Sequence, residues 1–219
     1  MPIQRAQDRE HNDGKGKTGM KKRHPILGVI CLAILICGGI FTFRAGGARA
    51  EITIGDKTYE MLTMTVREFM EDGYILAIMS TEGNSVYTYN YSGAVMEAKS
   101  YYNTAVPFKP KDGAGAPLSC WLYNPTSEQL EIREGKICAI SCKVTQMQEC
   151  GLPVSIAGLE LDRQSKEEIK DYMDGALKGY QFSENEDANA ISYTKGRVSY
   201  TFSFTEEDVL KNAIARNSV

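Results

Sequence analysis

Histidine is nearly missing from this chain. The 219 residues hold two, His11 and His24, and both precede residue 51. Residues 51–219 therefore lack Ser-His-Asp and Cys-His nucleophile arrangements, and every histidine-ligated metal site. A Gly-rich phosphate loop and a nucleophile elbow are also missing. Gly113-Ala114-Gly115 lacks the strand-to-helix setting that a phosphate cradle needs. Basic charge is scarce in the same region: 16 Lys/Arg face 25 Asp/Glu, net −9, against 9 and 3, net +6, in residues 1–50. An acidic region is a poor partner for phosphates, so no nucleic-acid partner is expected. The chain holds a single tryptophan, Trp121.

The acidic residues occur in runs, Glu71-Asp72, Glu167-Glu168 and Glu206-Glu207-Asp208, which read as solvated surface. Two carboxylates could serve a glycan hydrolase, and that stays the enzymatic alternative. Ser165-Lys166 could support a Ser-Lys mechanism, yet Ser165 reads better as a helix cap. The expectation is a protein that is not an enzyme and needs no cofactor or metal.

The first fifty residues are built differently. Residues 1–24 are polar, Gly/Lys-rich and basic, and are expected to be a disordered cytoplasmic tail. Lys21-Lys22-Arg23-His24 then precedes Ile26–Phe43, an uncharged apolar run. At ~1.5 Å per residue such a run approaches the thickness of one hydrocarbon core. Residues 25–44 are therefore expected to be a transmembrane helix, with the N-terminus inside and residues 51–219 outside. The alternative is a cleaved signal peptide. Ala48-Arg49-Ala50 is an A-x-A site, with Ala48 and Ala50 as its small residues. Met20 opens a segment with the layout of a complete signal peptide. Cys31 and Cys37 follow isoleucines and read as apolar packing residues.

Four cysteines fall in the exported region: Cys120, Cys138, Cys142 and Cys150. An even count in an oxidising compartment suggests two disulfides, with three possible pairings. Cys138 and Cys142 would share one face of a strand over Lys136–Thr145, too far apart to bond to each other. Cys142–Cys150 with Cys120–Cys138 is the preferred pairing. The Cys-x3-Cys-x7-Cys spacing does not suit zinc.

Strand signals dominate the rest. Ile52-Thr53-Ile54, Gly55-Asp56 and Lys57–Met61 read as a hairpin. Ser85–Tyr91, Leu118–Tyr123 and Arg197–Phe204 alternate as strands, and residues 109–117 read as a loop. Thr65-x-x-Glu68 and Ser165-x-x-Glu168 match the capping box. Behind them, Val66/Phe69/Met70 and Ile169/Tyr172/Met173 form apolar stripes, and both helices run into glycine, Gly73 and Gly175. Thr205-Glu206-Glu207-Asp208 followed by Val209, Leu210, Ala213 and Ile214 fits a capped helix, and Lys211–Arg216 fits a closing strand equally well. Like features recur 100 to 103 residues apart, which hints at an internal repeat. The expected fold is α+β: a transmembrane helix, then modules at 51–148 and 152–219, each a short helix on its own antiparallel sheet.

Some motifs carry a resemblance. Leu152-Pro153-x3-Ala157-Gly158, Ser165-Lys166-Glu167-Glu168-Ile169, Trp121-x-x-Asn124-Pro125 and Gly135-Lys136-Ile137-Cys138-x-Ile140 look like uncharacterised exported modules of Gram-positive bacteria. The tandem plan is similar to β-lactamase-inhibitor-like and small assembly-lipoprotein modules. The resemblance implies a binding role and assigns no residue. The expected function is a non-catalytic extracellular binding domain, anchored in the membrane through residues 26–43, or else a secreted binder or inhibitor after cleavage at Ala50. Its partner would be a protein or a cell-envelope ligand. Tyr87, Tyr89, Tyr91, Tyr101, Tyr102 and Trp121 are the candidate contact residues, because tyrosine and tryptophan combine large contact area with a polar tip. The competing reading places the tyrosine stripe in the core.

Overall fold

The computed structural model describes residues 48–79, 86–88 and 94–219. Fifteen strands and three short helices make up these residues, together with one turn of 3-10 helix at Ile132–Glu134. The expected tail at 1–24 and the apolar segment 25–44 lie outside the described residues.

The chain enters through β1 (Glu51–Ile54) and β2 (Lys57–Glu60), a hairpin closed by Gly55 at φ +64°. That left-handed conformation is readily open only to glycine in a tight turn. Helix α1 (Val66–Glu71) follows, with Thr65 as N-cap and Glu68 closing the capping box. Strands β3 (Tyr74–Met79), β6 (Val106–Pro110), β7 (Leu118–Tyr123) and β9 (Lys136–Lys143) then form an antiparallel meander, with β4 (Val86–Thr88) beyond β3. The short pair β5 (Val95–Met96) and β8 (Leu130–Glu131) stands apart. Helix α2 (Val144–Glu149) links to a second hairpin, β10 (Val154–Ile156) and β11 (Leu159–Glu160). Helix α3 (Lys166–Ala176), capped by Ser165 and Glu168, leads into a second meander, β12 (Gln181–Asn185), β13 (Ala190–Lys195), β14 (Val198–Phe204) and β15 (Leu210–Asn217).

The two meanders join. β15 pairs with β9, giving one nine-stranded sheet in the order β12-β13-β14-β15-β9-β7-β6-β3-β4. The two hairpins join in the same way through β1 and β10. Like strands therefore meet at the centre of both sheets, and the halves are related by an approximate two-fold arrangement. The agreement reaches individual hydrogen bonds. Val66 N–H donates to the Gly135 carbonyl at 3.1 Å, and Lys166 N–H donates to that of Asp208 at 3.0 Å. Ile137 N–H donates to Met64 at 3.0 Å, and Leu210 N–H to Gln164 at 2.9 Å. Each half also carries one register shift on its last strand pair, at Trp121/Leu122 and at Ser203/Phe204.

All three helices and the hairpin sheet pack on one face of the large sheet, around a single core. Phe69 of α1 stacks on Tyr74 at 4.2 Å and meets the edge of Phe108 at 5.2 Å. On the α3 side, the Tyr193 hydroxyl donates to Asp174 at 2.8 Å. Strand β14 shows the logic of the sheet most clearly. Val198, Tyr200, Phe202 and Phe204 are buried, while Ser199, Thr201 and Ser203 are not. Alternation with period two sends one set to the core and the other outward.

These observations correct the expected fold class. The described protein is mostly β rather than α+β with separate sheets, because the ambiguous last segment is strand β15 and fuses the two meanders. No helix of the described residues is long and apolar enough to cross a membrane; the transmembrane segment expected at 25–44 lies outside them and forms no part of the mostly-β architecture described. The disulfides are corrected as well: Cys120, Cys138, Cys142 and Cys150 are all free. Cys120 points into the core from β7, whereas Cys138 is the extra residue of the β9 irregularity and donates to the Trp121 carbonyl at 3.3 Å. That irregularity also breaks the alternation that would have put Cys138 and Cys142 on one face. Burial raises the thiol pKa of Cys120 and Cys142, and pushes Cys138 up to about 11. A thiol held protonated in this way is a poor nucleophile and resists oxidation. Two smaller points differ too: α3 continues past Gly175 to Ala176, and residues 144–149 form a helix with no side-chain cap.

Candidate functional site

The outer face of the nine-stranded sheet is built from rows of side chains that the strand registers bring side by side. The first row runs Gln181, Thr194, Ser199, Arg216, Ala139, Trp121. The second runs Ser183, Ser192, Thr201, Ile214, Ser141, Ser119. The third runs Asn185, Ala190, Ser203, Asn212, Lys143. Neighbours in these rows lie about 4.8 Å apart along the hydrogen-bonding direction. Side-chain contacts agree with the registers. Ser192 and Thr201 hydroxyls are 2.9 Å apart, and the Ser141 hydroxyl donates to the Asn212 side-chain oxygen at 2.8 Å.

Trp121 is the large residue of this face. The Arg216 guanidinium lies 6.0 Å from its ring centre, across the small side chain of Ala139. Tyr123, two residues further along β7 on the same face, packs against Tyr101 with ring centres 5.2 Å apart. Tyr101 bridges to Tyr123 through the backbone and is half exposed, and its hydroxyl accepts from Val219 N–H at 2.9 Å.

The sequence candidates therefore separate. Trp121 and Tyr101 come together at one end of the outer face. Tyr102 turns inward and packs against the core. Tyr87 lies in β4, with its side chain outside the described residues, as are Tyr89 and Tyr91. Tyr123, Arg216, Asn212 and Lys143 join the face without having been singled out in the sequence. The polar alternation of Ser199, Thr201 and Ser203 is the signal that could have found it.

Ala48 is exposed, whereas Ala50 is fully buried. Ala50 N–H donates to the Asn217 side-chain oxygen at 2.6 Å, and its carbonyl accepts from Met61 N–H at 2.9 Å. Cleavage after Ala50 would remove a residue that the fold holds at both backbone groups.

The other chemistries of the sequence are poorly served. Ser165 is occupied by its capping box, its hydroxyl donating to Glu168 at 2.9 Å. Lys166 is paired with Glu184 at 3.1 Å and Asp208 at 3.6 Å. The hydrogen bond to Glu184 above all raises its pKa, so it is a poor general base. An open depression of about 310 Å³ beside these residues is lined by Ser165, Lys166, Glu167, Lys170 and Asp208. Glu51 and Glu60 face each other across the first hairpin. Burial, and then the charge of Glu60, raise the pKa of Glu51, while Arg49 lies 3.4 Å from Glu60. Among the described residues no group of three or more Cys, Asp or Glu is arranged to hold a metal ion.

No family model matches the chain, and no curated protein or solved structure matches it either.

Proposed function

We propose that residues 48–219 form a non-catalytic binding domain that works outside the cytoplasm and recognises its partner with the outer face of the nine-stranded sheet. One observation carries this reading: a wide sheet face, set opposite the packed core, places the only tryptophan beside Arg216 and a Tyr101–Tyr123 pair. Solvent-facing aromatic rings are recurrent anchors of recognition surfaces. The basic and apolar stretch in residues 21–43 supports export, and the buried, protonated thiols are compatible with an oxidising compartment. The partner class favoured is a cell-envelope ligand, in keeping with the resemblance to exported Gram-positive modules.

The test is co-sedimentation of the full chain with insoluble cell-wall material from a Gram-positive bacterium. The wild type is expected in the pellet, with Trp121→Ala and Arg216→Ser left in the supernatant. Equal distribution of all three proteins would overturn the proposal.

A further inference from the structure

The outer face has a charge pattern that the rest of the acidic region does not share. Every outward position on β3, β6, β7, β9, β12, β13, β14 and β15 whose side chain is described lacks Asp and Glu. Lys109, Lys143 and Arg216 all occur there. Yet residues 51–219 carry 25 acidic and 16 basic residues. The acids lie on the helices, the loops, the hairpin sheet and the short β5–β8 pair, and the one on the nine-stranded sheet, Glu184, faces inward. Glu184 illustrates this: on edge strand β12 it sits on the α3 side and pairs with Lys166.

The remaining outward groups are unlike the centre of a protein interface. Such centres are rich in aliphatic and aromatic side chains. Here the middle of the face carries the hydroxyls of Ser192, Thr201 and Ser199, with Ser141 buried and with Ala139, Ala190 and Ile214 as its aliphatic positions. Six strands, from β12 to β7, share a row, so it spans roughly 24 Å at ordinary strand spacing. A long strip of hydroxyls and amides, with an aromatic platform at one end and only positively charged side chains, suits a polymer of hydroxyl-bearing rings that carries negative groups.

We infer that the outer face binds an anionic polysaccharide, with Trp121 and Tyr123 stacking on sugar rings, the Ser/Thr/Asn rows meeting their hydroxyls, and Lys143 and Arg216 meeting the anionic groups. This inference rests on the proposed binding role of the same face.

The experiment is a fluorescence titration of the full chain, read through Trp121, the only tryptophan. The probes are dextran sulfate, polygalacturonate, neutral dextran, poly-glutamate and oligothymidylate. Both anionic polysaccharides are expected to shift the emission, with affinity falling as salt rises. Neutral dextran and poly-glutamate are expected to bind on the order of tenfold more weakly or not at all. Lys143→Ser and Arg216→Ser are each expected to weaken polysaccharide binding on the order of tenfold, the usual scale of one charge-assisted contact. Their unchanged melting temperatures serve as the folding control. Failure of both polysaccharides, indifference to both substitutions, or tighter binding of poly-glutamate or oligothymidylate would overturn the inference. If both polysaccharides fail while wall material still retains the wild type and releases Trp121→Ala, the ligand chemistry is wrong and the binding face stands. If Trp121→Ala remains on the wall material, the face itself is wrong.

Discussion

The two halves of the protein share their interior and differ in what they show to solvent. Thr65 and Ser165 cap equivalent helices, and Phe69 and Ile169 are the fully buried residues one turn in. Leu122 and Phe204 are equivalent core residues just past equivalent irregularities. Immediately before them, on the outer face, the equivalents are Trp121 and Ser203. Packing constrains the inner positions in the same way twice, so they stay alike in role. The outer positions are released from that constraint, and the halves have diverged there, aromatic in the first and hydroxyl-rich in the second. That difference identifies the outer face as the part of the sheet not explained by folding.

The comparison can be broken most easily in the core. Phe69 sits in a cluster with Tyr59, Tyr74 and Phe108, so Phe69→Ala is expected to lose ~4 kcal/mol in urea unfolding. Ile169→Ala is expected to lose less, about 3 kcal/mol. A larger loss at Ile169 would reverse the assignment of the aromatic cluster as the stronger half-core.

Asn124 sharpens the contrast between the halves. It is fully buried, and its side-chain nitrogen donates to the carbonyls of Met96, Glu97 and Glu128 at 2.8 to 3.3 Å. It tethers the long β7–β9 connection, for which the second half has only the short Thr205–Val209 turn. Asn124→Ala removes these hydrogen bonds from a fully buried position and is expected to destabilise by about 2 kcal/mol. A neutral result in thermal unfolding would mean that the connection is held some other way.

The caps test equivalence directly. Thr65→Ala is expected to lose about 1 kcal/mol, Ser165→Ala a similar amount, and the double variant the sum, since the two sites share no partner. Non-additive melting temperatures would show that the halves do not behave as independent copies at their helix starts.

The pH dependence should separate the hairpin from the caps. The Glu51 carboxyl is raised by burial, so the fold binds its proton more tightly than the unfolded chain does. Its contribution is favourable at acid pH and is lost as pH rises through the raised value. Glu51→Gln is therefore expected to raise the melting temperature at pH 7, with the gain shrinking below the usual carboxyl range. Glu68 and Glu168 behave oppositely. Hydrogen bonds from the Thr65 and Ser165 backbone lower them, so their contribution is present at neutral pH and fades on acidification. A Glu51→Gln gain that grows on acidification would contradict this assignment.

The smallest effect belongs to the outer face. Thr201→Ala is expected to stay within about 0.5 kcal/mol of wild type, although its neighbour Phe202 is fully buried.

Much of the plan was legible in residue patterns of short range. The Gly55 hairpin, the two capping boxes and the alternation of β7 and β14 depend on neighbours a few residues apart, and each was readable. The fusion of the two sheets was not, because β15 pairs with β9 some seventy residues away, and Leu210–Asn217 carries no decisive local period. The irregularity at Trp121/Leu122 was equally hidden, and with it went the expectation about Cys138 and Cys142. Trp121 and Tyr101 were readable as candidates by type. Arg216, Lys143 and Asn212 were not, since only register brings them alongside Trp121.

The central claim is that the outer sheet face is the recognition surface, and acrylamide quenching of Trp121 fluorescence tests it most directly. The full chain is measured free and bound to cell-wall material. The account predicts a bound form in which quenching falls several-fold, because the ligand covers the ring. Binding with quenching unchanged from the free protein would place recognition elsewhere and contradict the account.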